Sequence, residues 1–321
     1  MGIVVALGGQ VGGAKLADVL YRLRGKDLAL IVNTGDDYEH LGLAFSPDLD
    51  TAVYTLAGMA SNEAGWEPAG ETRLLHGMLK ALGGPEQPLL GDKSLAAPLL
   101  RTQGLAAGQR LTEITLGFCR SLGISARVLP MSDDPVRTHV LTEGGAIPFP
   151  EYFTQLACEP RALGLEYAGA EQARISDEVL DALHSNDLDA VVLCPSNPYH
   201  IIRPILEING MRELLLKRGA PVIAVTPIVG GKALKGSAGK MMRELGKEPS
   251  ARAVVGEYLR LIDGFVMDVE DEQYADGVRS LGIHVLTTPT VMRTVDDRVT
   301  LARNVLNFAR VVREAMAMEA E

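Results

Sequence analysis

Residues 3–20 read IVVALGGQVGGAKLADVL, a short apolar run followed by a glycine-rich turn and the start of an amphipathic stretch. A strand, a glycine turn and a helix N-terminus in this order predict an anion site, because glycine lets backbone N–H groups approach a phosphate and the helix dipole favours negative charge. Gln10 takes the place of the second glycine of the dinucleotide-binding fingerprint, and no Ser or Thr follows Lys15 as in a Walker A loop. The turn is therefore predicted either to bind a phosphate or to be only a tight turn, and it does not identify the nucleotide.

The rest of the chain continues the alternation of apolar runs and amphipathic stretches. The apolar runs predict strands at Ile3–Leu7, Leu28–Val32, Ala126–Leu129, Ala190–Cys194, Val222–Thr226, Phe265–Met267 and His284–Thr287. The amphipathic stretches predict helices at Ala14–Leu23, Asp177–Leu183, Gly210–Leu216, Ala238–Leu245 and Asp296–Ala317. Strands that alternate with helices are typical of right-handed βαβ units. The sequence therefore predicts an α/β fold with a Rossmann-like, doubly wound, mostly parallel sheet.

Two segments interrupt this alternation. Residues 51–122 contain no convincing strand, and they predict a helical insertion broken by Gly and Pro. Residues 138–167 alternate apolar and polar around Glu143-Gly144-Gly145, which predicts a small β-hairpin extension. No clean linker separates these segments from the rest, so we expect residues 1–321 to form a single Rossmann-like domain.

Composition excludes several classes of protein. The chain has 321 residues, 47% of them apolar and 22% charged, as expected for a globular protein with a substantial core. Its formal net charge of -10 argues against a nucleic-acid partner, which would require a basic face. The cysteines Cys119, Cys158 and Cys194 form no C-x-x-C pair, and no apolar stretch reaches the roughly 18 residues that span a bilayer. We expect a cytoplasmic protein with no membrane partner.

Acidic residues follow the second predicted strand. Asp36 and Asp37 could meet a ribose hydroxyl, cap a helix or face a metal. Asp48 and Asp50 stand two residues apart just before a predicted helix. Such a pair could jointly hold Mg²⁺, which prefers hard oxygen ligands, or could simply cap the helix and complement its dipole.

Further polar turns follow the later strands, and the carboxyl ends of parallel strands meet at one edge of a sheet. These turns contain Asp133 and Asp134, Ser196 and Asn197, and Gly230 to Lys232. Residues 236–240 (GSAGK) open another predicted helix, so Lys240 could be the counter-charge of a second phosphate cradle or an ordinary surface lysine. Each turn alone could be structural, but their shared position predicts a site at this edge.

Taken in order, these stretches resemble the CofD family, the 2-phospho-L-lactate transferases of coenzyme F420 biosynthesis. The matching segments run from Gly8 to Lys240, about three quarters of the chain, and SPDLDT and SDDPV are more specific to the family than the glycine loop. The segments are GGQVGGAKL, VNTGDD, SPDLDT, LGD, LPMSDDPV, PSNP, TPIVGGK and SAGK.

The resemblance implies a Mg²⁺-dependent, homodimeric enzyme that acts on the deazaflavin Fo. Its donor would be a guanosine diphosphate ester from which a 2-phospholactyl, phosphoenolpyruvyl or phosphoglyceryl group is transferred, and GMP would be released. A ribityl hydroxyl of Fo would attack the phosphorus that carries the three-carbon acid. Such transfers depend mainly on positioning and charge neutralisation, which suits the residues present.

The resemblance also implies roles for individual residues of this sequence. Asp48 and Asp50 would be the catalytic and metal-binding carboxylates. The donor would contact Gly8, Gly9, Gly12, Gly13, Lys15, Ser196, Asn197, Gly230, Lys232 and Lys240. The acceptor would contact Asn33, Asp36, Asp50, Leu89, Asp133 and Asp134.

One position departs from the family. Some members carry a lysine that touches Fo where this chain has Leu89, and Lys93 stands where the family often has arginine. The departure favours a bacterial-type variant of the enzyme over an archaeal one. Two other classes compete with the transferase: a YvcK-type nucleotide-binding regulator, disfavoured by SPDLDT, and an NAD-dependent oxidoreductase, disfavoured by Gln10 and by the lack of an obvious catalytic His, Tyr-Lys or Cys.

Overall fold

The computed structural model describes residues 2–233 and 237–320. Its strands are β1 (Ile3–Gly8), β2 (Leu28–Val32), β3 (Tyr38–His40), β4 (Leu43–Phe45), β5 (Arg127–Pro130), β6 (Arg137–Thr142), β7 (Gly145–Pro148), β8 (Gly164–Ala168), β9 (Leu188–Leu193), β10 (Val222–Val225), β11 (Ile228–Val229), β12 (Lys232–Ala233), β13 (Gly264–Met267) and β14 (His284–Thr287). Its helices are α1 (Gln10–Arg24), α2 (Pro47–Leu56), α3 (Leu74–Ala81), α4 (Ala96–Ala106), α5 (Leu111–Ser121), α6 (Phe149–Thr154), α7 (Asp177–Leu183), α8 (Arg203–Glu207), α9 (Met211–Lys217), α10 (Ala238–Glu244), α11 (Ala251–Glu257), α12 (Ala275–Arg279) and α13 (Val295–Ala320).

A seven-stranded sheet in the order β14-β13-β10-β9-β1-β2-β5 forms the centre of the molecule. Every neighbouring pair in it is parallel. These are the seven strands predicted from the apolar runs, with ends that differ by two residues at most. The prediction of an α/β fold with a doubly wound, mostly parallel sheet is therefore confirmed.

The apolar character of β1 follows from burial on both faces. Successive side chains of a strand point to opposite sides of the sheet. Val5 and Leu7 accordingly pack into one hydrophobic core, and Val4 and Ala6 pack into the other. The first core lies under α7 to α12, whereas the second is covered by α1, α2 and α13. A strand that serves two cores cannot alternate with polar residues, so it reads as a continuous apolar run.

The sheet order places the crevice of this fold between β1 and β9. Strand order reverses there, because the chain continues from β1 through β2 to β5 on one side and from β9 through β10 and β13 to β14 on the other. In open α/β sheets a ligand binds outside the carboxyl ends of the strands at such a point. The glycine loop after β1 and the Pro195–Asn197 turn after β9 flank this crevice.

The two segments that interrupt the alternation have the predicted local structure. Strands β6 and β7 form an antiparallel hairpin in which Thr142 pairs with Gly145, and β8 adds a third strand. Helices α2 to α5 occupy most of residues 47–121, but α2 and α5 both contribute buried residues to the core beside the sheet. Division of the chain into one domain with an insertion stays a prediction. In the described part of the chain, no helix combines the length and the apolar character that crossing a membrane requires.

Candidate active site

A cavity of about 1070 Å³ opens at the carboxyl ends of the central strands. We call its two halves the glycine side and the carboxylate side. The glycine side is lined by Gln10, Val11, Gly12, Lys15, Pro195, Ser196, Asn197, Thr226, Pro227, Ser237, Ala238, Val291, Met292 and Arg293. The carboxylate side is lined by Asp36, Tyr38, Phe45, Asp48, Asp50, Tyr54, Trp66, Arg73, residues 87–91, Ser94, Leu95, Phe149 and Phe153, among others. One continuous space therefore joins the glycine loop to the acidic residues.

The glycine loop is held against the turn after β9. The Ser196 hydroxyl donates to the Gly9 carbonyl at 2.9 Å and accepts from the Gly9 N–H at 3.3 Å. A Cβ atom on Gly12 would lie 2.6 Å from the Pro195 carbonyl oxygen, and one on Gly9 would lie 2.6 Å from the Asp48 carboxylate. Gly8 ends β1 and Gly13 lies in α1, both packed against the same turn. The structure thus brings Ser196 and the glycine loop together, and Ser196 acts on the loop itself.

We expect Gly12→Ala to weaken guanosine nucleotide binding at least about 10-fold, because the Pro195 carbonyl is backbone and the loop must shift to admit the methyl group. Titration calorimetry with GDP measures this. Gly77→Ala is the matched control, since no atom of the described residues lies within 4 Å of the Cβ position of Gly77 in α3. The control should bind GDP normally, and equal affinities of both variants would contradict the cradle.

Asp48 connects the glycine loop to the strand β2. One carboxylate oxygen accepts from the Gln10 N–H at 2.8 Å, and the other accepts from the Asn33 side-chain amide at 2.9 Å. Asp48 is buried, and burial followed by repulsion from Asp36 raises its pKa to about 7. Asn33 also accepts from the Gly35 N–H at 2.8 Å, which fixes the turn that carries Asp36. Both predicted residues, Asn33 and Asp48, therefore lie at one point.

Asp36 is paired with a histidine for which no role was predicted from the sequence. The Nδ1 atom of His200 lies 3.0 Å from one Asp36 oxygen, and its Nε2 lies 3.4 Å from the Gln10 side-chain nitrogen. The His200 ring stacks on Phe149 with centroids 3.8 Å apart. Burial lowers the pKa of His200 to about 3 and raises the pKa of Asp36 well above its usual range. A neutral His200 therefore orients Asp36 and Gln10 in the cavity wall.

Asp50 has a different environment from Asp48. Both of its oxygens accept hydrogen bonds from Arg101 of α4, whose side chain is 1% exposed. Arg101 also donates to the Ala44 carbonyl at 3.2 Å. Asp50 lines the cavity with a side chain that is 13% exposed, so it joins a buried ion pair to the cavity wall.

Asp36, Asp48 and Asp50 are the carboxylates of the cavity that could bind Mg²⁺. Within residues 2–233 and 237–320, no three His, Cys, Asp or Glu side chains are grouped so that they could hold a metal. Mg²⁺, however, usually binds through one or two carboxylates and keeps waters and substrate phosphates. One oxygen of the buried Asp36 accepts no hydrogen bond in the described part of the chain, and Asp36 is close enough to raise the pKa of Asp48. Asp36 and Asp48 fit the ion, because the Gln10 and Asn33 donors to Asp48 are neutral and leave its charge available, whereas the charge of Asp50, also predicted as a ligand, is neutralised by Arg101.

The buried Asp37 makes the stability of the folded state depend on pH. It accepts from the Ser46 hydroxyl at 2.6 Å, and burial raises its pKa to about 8. The folded state therefore favours protonated Asp37. Its stabilising contribution is complete below the unfolded-state pKa of about 4 and is lost as the pH rises through about 8.

We expect Asp37→Asn, a neutral mimic, to unfold at the same urea concentration as the wild type at pH 4 and at a higher concentration at pH 8.5. The difference should be on the order of a few kcal/mol, because one pKa unit corresponds to about 1.4 kcal/mol. Urea midpoints at both pH values provide the measurement. Parallel pH profiles of the two proteins would contradict this explanation.

Several predicted site residues lie outside the cavity wall. Asp133 accepts from the Thr112 N–H at 2.7 Å and pairs with Arg110, and Asp134 accepts from the Arg174 N–H at 2.9 Å. Their contacts are those of turn and helix-end residues, so the geometry does not support the predicted acceptor role.

The two lysines predicted to contact the donor are also elsewhere. Lys240 donates to Glu244, to the Tyr152 hydroxyl and to the Pro160 carbonyl, so a carboxylate already neutralises it. Lys232 is exposed in β12, and the Gly230 N–H donates to Asp271 at 3.1 Å. Lys240, Lys232 and Gly230 are not in the cavity wall. Gly236, the first residue of the GSAGK motif that contains Lys240, lies outside the described residues.

Three further predicted residues do line the cavity, whereas Gly8, Gly9, Gly13 and Asn33 are not in its wall. Lys15 and Asn197 lie on the glycine side, where Asn197 accepts from the Tyr199 N–H at 2.9 Å. Leu89, 54% exposed, lies on the carboxylate side, whose wall also contains Trp66 and Phe153. The predictions from the sequence did not include His200, Arg101 or Arg293. Of these, only His200 lies close to a motif that could have indicated it, because it follows the PSNP turn by two residues.

Known proteins resemble this chain along nearly its whole length. The sequence profile of the family described as 2-phospho-L-lactate transferase CofD matches residues 4–291. The chain is 38% identical to the phosphoenolpyruvate transferase of Streptomyces griseus subsp. griseus, with 97% of this chain and 99% of that one covered. It is 35% identical to the 2-phospho-L-lactate transferase of Methanocaldococcus jannaschii, with 95% and 98% covered.

A crystal structure of a UPF0052 family protein from Bacillus halodurans shares the fold. The TM-score is 0.60 at 16% identity, with 95% of this chain and 98% of that chain covered. An identity this low shows the fold alone, whereas the profile and the sequence relatives extend over nearly the whole chain. The chain therefore belongs to the 2-phospho-L-lactate transferase CofD family.

Proposed function

We propose that this protein transfers a phospho-three-carbon-acid group from a guanosine diphosphate ester to a hydroxyl of the deazaflavin Fo, and releases GMP. The observation that carries the proposal is the continuous cavity that joins the glycine loop to Asp36, Asp48 and Asp50. A phosphoryl-type transfer needs a bound diphosphate, a positioned hydroxyl and neutralised charge in one space. As the bond from the hydroxyl oxygen to phosphorus forms, the bond from that phosphorus to the GMP oxygen breaks and the hydroxyl loses its proton.

The glycine side suits the diphosphate of the donor. The N-terminus of the 15-residue helix α1 lies there, and it favours negative charge. Lys15 of the same helix adds a positive side chain to the wall. Gly12 and Gly13 allow the backbone at the start of α1 to pack directly against the turn after β9, which fixes the loop at the cavity.

The carboxylate side suits a flat aromatic acceptor. Tyr38 and Phe45 stack with centroids 5.0 Å apart, and Trp66, Phe153 and Leu89 add apolar surface to the same wall. Stacked or edge-on aromatic contacts of this kind stabilise ring ligands. Leu89 in place of the family lysine makes this contact apolar, so we propose that Fo is held there by packing.

When bound, Mg²⁺ would supply charge neutralisation for the diphosphate, and Asp36 and Asp48 would hold it. Asn33 and the Gln10 N–H orient Asp48, and His200 orients Asp36. Removal of Mg²⁺ with a chelator is accordingly expected to stop product formation. We further propose a homodimer in the cytoplasm, which light scattering and fractionation can test.

The decisive experiment supplies the full-length protein with Fo, Mg²⁺, GTP, a guanylyltransferase and, in separate reactions, phospholactate, phosphoenolpyruvate or phosphoglycerate. Mass spectrometry should detect a Fo derivative with one phospho-acid group, together with GMP. Fo titration followed by fluorescence separates this function from that of a nucleotide-binding regulator, which should not bind Fo. Absence of any product with all three acids would overturn the proposal.

Relatives named for two different three-carbon acids are equally similar to this chain. The phosphoenolpyruvate transferase of Streptomyces griseus and the 2-phospho-L-lactate transferase of Methanopyrus kandleri are each 38% identical to this chain. The product of the three parallel reactions identifies the acid directly.

A further inference from the structure

We infer that Arg293 binds an oxyanion of the donor and completes the glycine side of the cavity. The inference rests on the proposed function and adds a residue to it. Arg293 lies in the cavity wall with an exposed side chain, on the segment between β14 and α13. It lies two positions beyond residue 291, where the match to the family profile ends.

Charge distribution is the first support for this role. The acidic residues Asp36, Asp48 and Asp50 are all on the carboxylate side. Arg73 is also in the wall, but it already pairs with Glu67 and Glu71. Arg293, in contrast, forms no close ion pair with a carboxylate of residues 2–233 or 237–320, and its charge acts only at longer range on Asp297, whose pKa it helps to lower. A diphosphate ester with a carboxylate carries several negative charges, and a guanidinium in this position can neutralise one of them with two hydrogen bonds.

The backbone on both sides of Arg293 is fixed. Before it, the Thr290 N–H and hydroxyl both donate to the buried Asp268, at 2.6 and 2.9 Å. After it, the Asp297 carboxylate accepts from the N–H groups of Arg293 and Thr294, at 3.0 and 2.7 Å. The Asp297 N–H in turn donates to the Thr294 hydroxyl at 3.1 Å. A side chain on a backbone anchored in this way loses less freedom when it binds a ligand.

Sheet topology explains how a residue so late in the chain reaches the glycine loop. β14 is the edge strand on the β9 side of the sheet, and its carboxyl end points the same way as those of β1 and β9. The segment after β14 therefore extends along the edge at which the cavity opens, next to Asp268 after β13, and Thr226 and Pro227 after β10 line the same cavity. Arg293 and Lys15 thus line one half of the cavity from opposite ends of the chain.

The test compares Arg293→Gln with Arg303→Gln in the full-length protein. Arg303 is an exposed residue of α13 outside the cavity wall, so it controls for the loss of one positive charge. Calorimetric titration with GDP and steady-state kinetics with the complete donor are measured for both. We expect Arg293→Gln to raise the dissociation constant for GDP or the KM for the donor about 10-fold or more, and Arg303→Gln to change neither.

The two readouts identify the oxyanion. Weaker binding of GDP assigns Arg293 to a phosphate, whereas normal GDP binding with a raised KM for the donor assigns it to the carboxylate of the three-carbon acid. If the wild type transfers the group and Arg293→Gln equals it in both measurements, the inference fails and the proposed function stands. If the wild type neither binds GDP nor transfers, both fail together.

Discussion

Asp48→Asn should lower kcat/KM for transfer roughly 10³-fold, the size of loss that follows removal of one preorganised polar group at a reacting centre. The Asp48 oxygens accept from two donors, the Gln10 N–H and the Asn33 amide. Asparagine supplies only one oxygen, so one donor would face the new NH₂ group. The substitution also removes one of the two carboxylates that fit Mg²⁺. Product formation followed by mass spectrometry measures the loss.

Asp133→Asn is the matched control for Asp48→Asn. Asp133 also follows a strand and accepts a backbone N–H, but it lies outside the cavity wall. The substitution Asp133→Asn should lower the free energy of unfolding by about 1 kcal/mol, because it weakens the hydrogen bond at the start of α5. It should leave kcat/KM within about twofold of the wild-type value. Circular dichroism and thermal melting check that both variants fold. Near-normal turnover by a folded Asp48→Asn protein would refute the role of this carboxylate.

Arg101→Met should lower the free energy of unfolding by about 3–5 kcal/mol, because it leaves the largely buried Asp50 carboxylate without its charge partner. The sequence alone suggests that Asp50→Ala would abolish transfer and leave the fold intact. The structure changes that expectation, since Asp50→Ala leaves the buried Arg101 guanidinium without its charge partner and should also lower stability. Loss of activity in Asp50→Ala therefore cannot be separated from loss of stability without further variants.

A double-mutant cycle separates the two effects. The double variant Asp50→Leu/Arg101→Met removes both charges, so its loss of stability should be smaller than the sum of the single losses. If Asp50 also serves the reaction, transfer stays absent in this stabilised protein. Arg203→Met is the control, because the Arg203–Glu207 pair is exposed and should contribute about 0–1 kcal/mol. Urea unfolding gives each value, and an Arg101→Met protein as stable as the control would contradict the buried pair.

The sequence determined the central sheet because its strands are buried on both faces. The buried part of a strand between two cores must be apolar, so β1, β2, β9 and β10 stand out as short runs of Val, Ile, Leu and Ala, interrupted only by the half-buried Asp189 near the start of β9 and ended by Gly8 in β1. The glycine loop was equally readable, since close packing of backbone against the turn after β9 tolerates only glycine there. Polar turns after strands indicated the correct edge of the sheet.

Only the tertiary structure decided which polar residues meet. His200 is 164 positions from Asp36, and Arg101 is 51 positions from Asp50. Contacts across such separations are made by the packing of the sheet and the helices, and they leave no periodic or local pattern in the sequence. The same reason explains why Asp133, Asp134 and Lys240 lie outside the cavity wall: each stands in a turn or helix start typical of a site, but its side chain has a near partner in Thr112, Arg174 or Glu244.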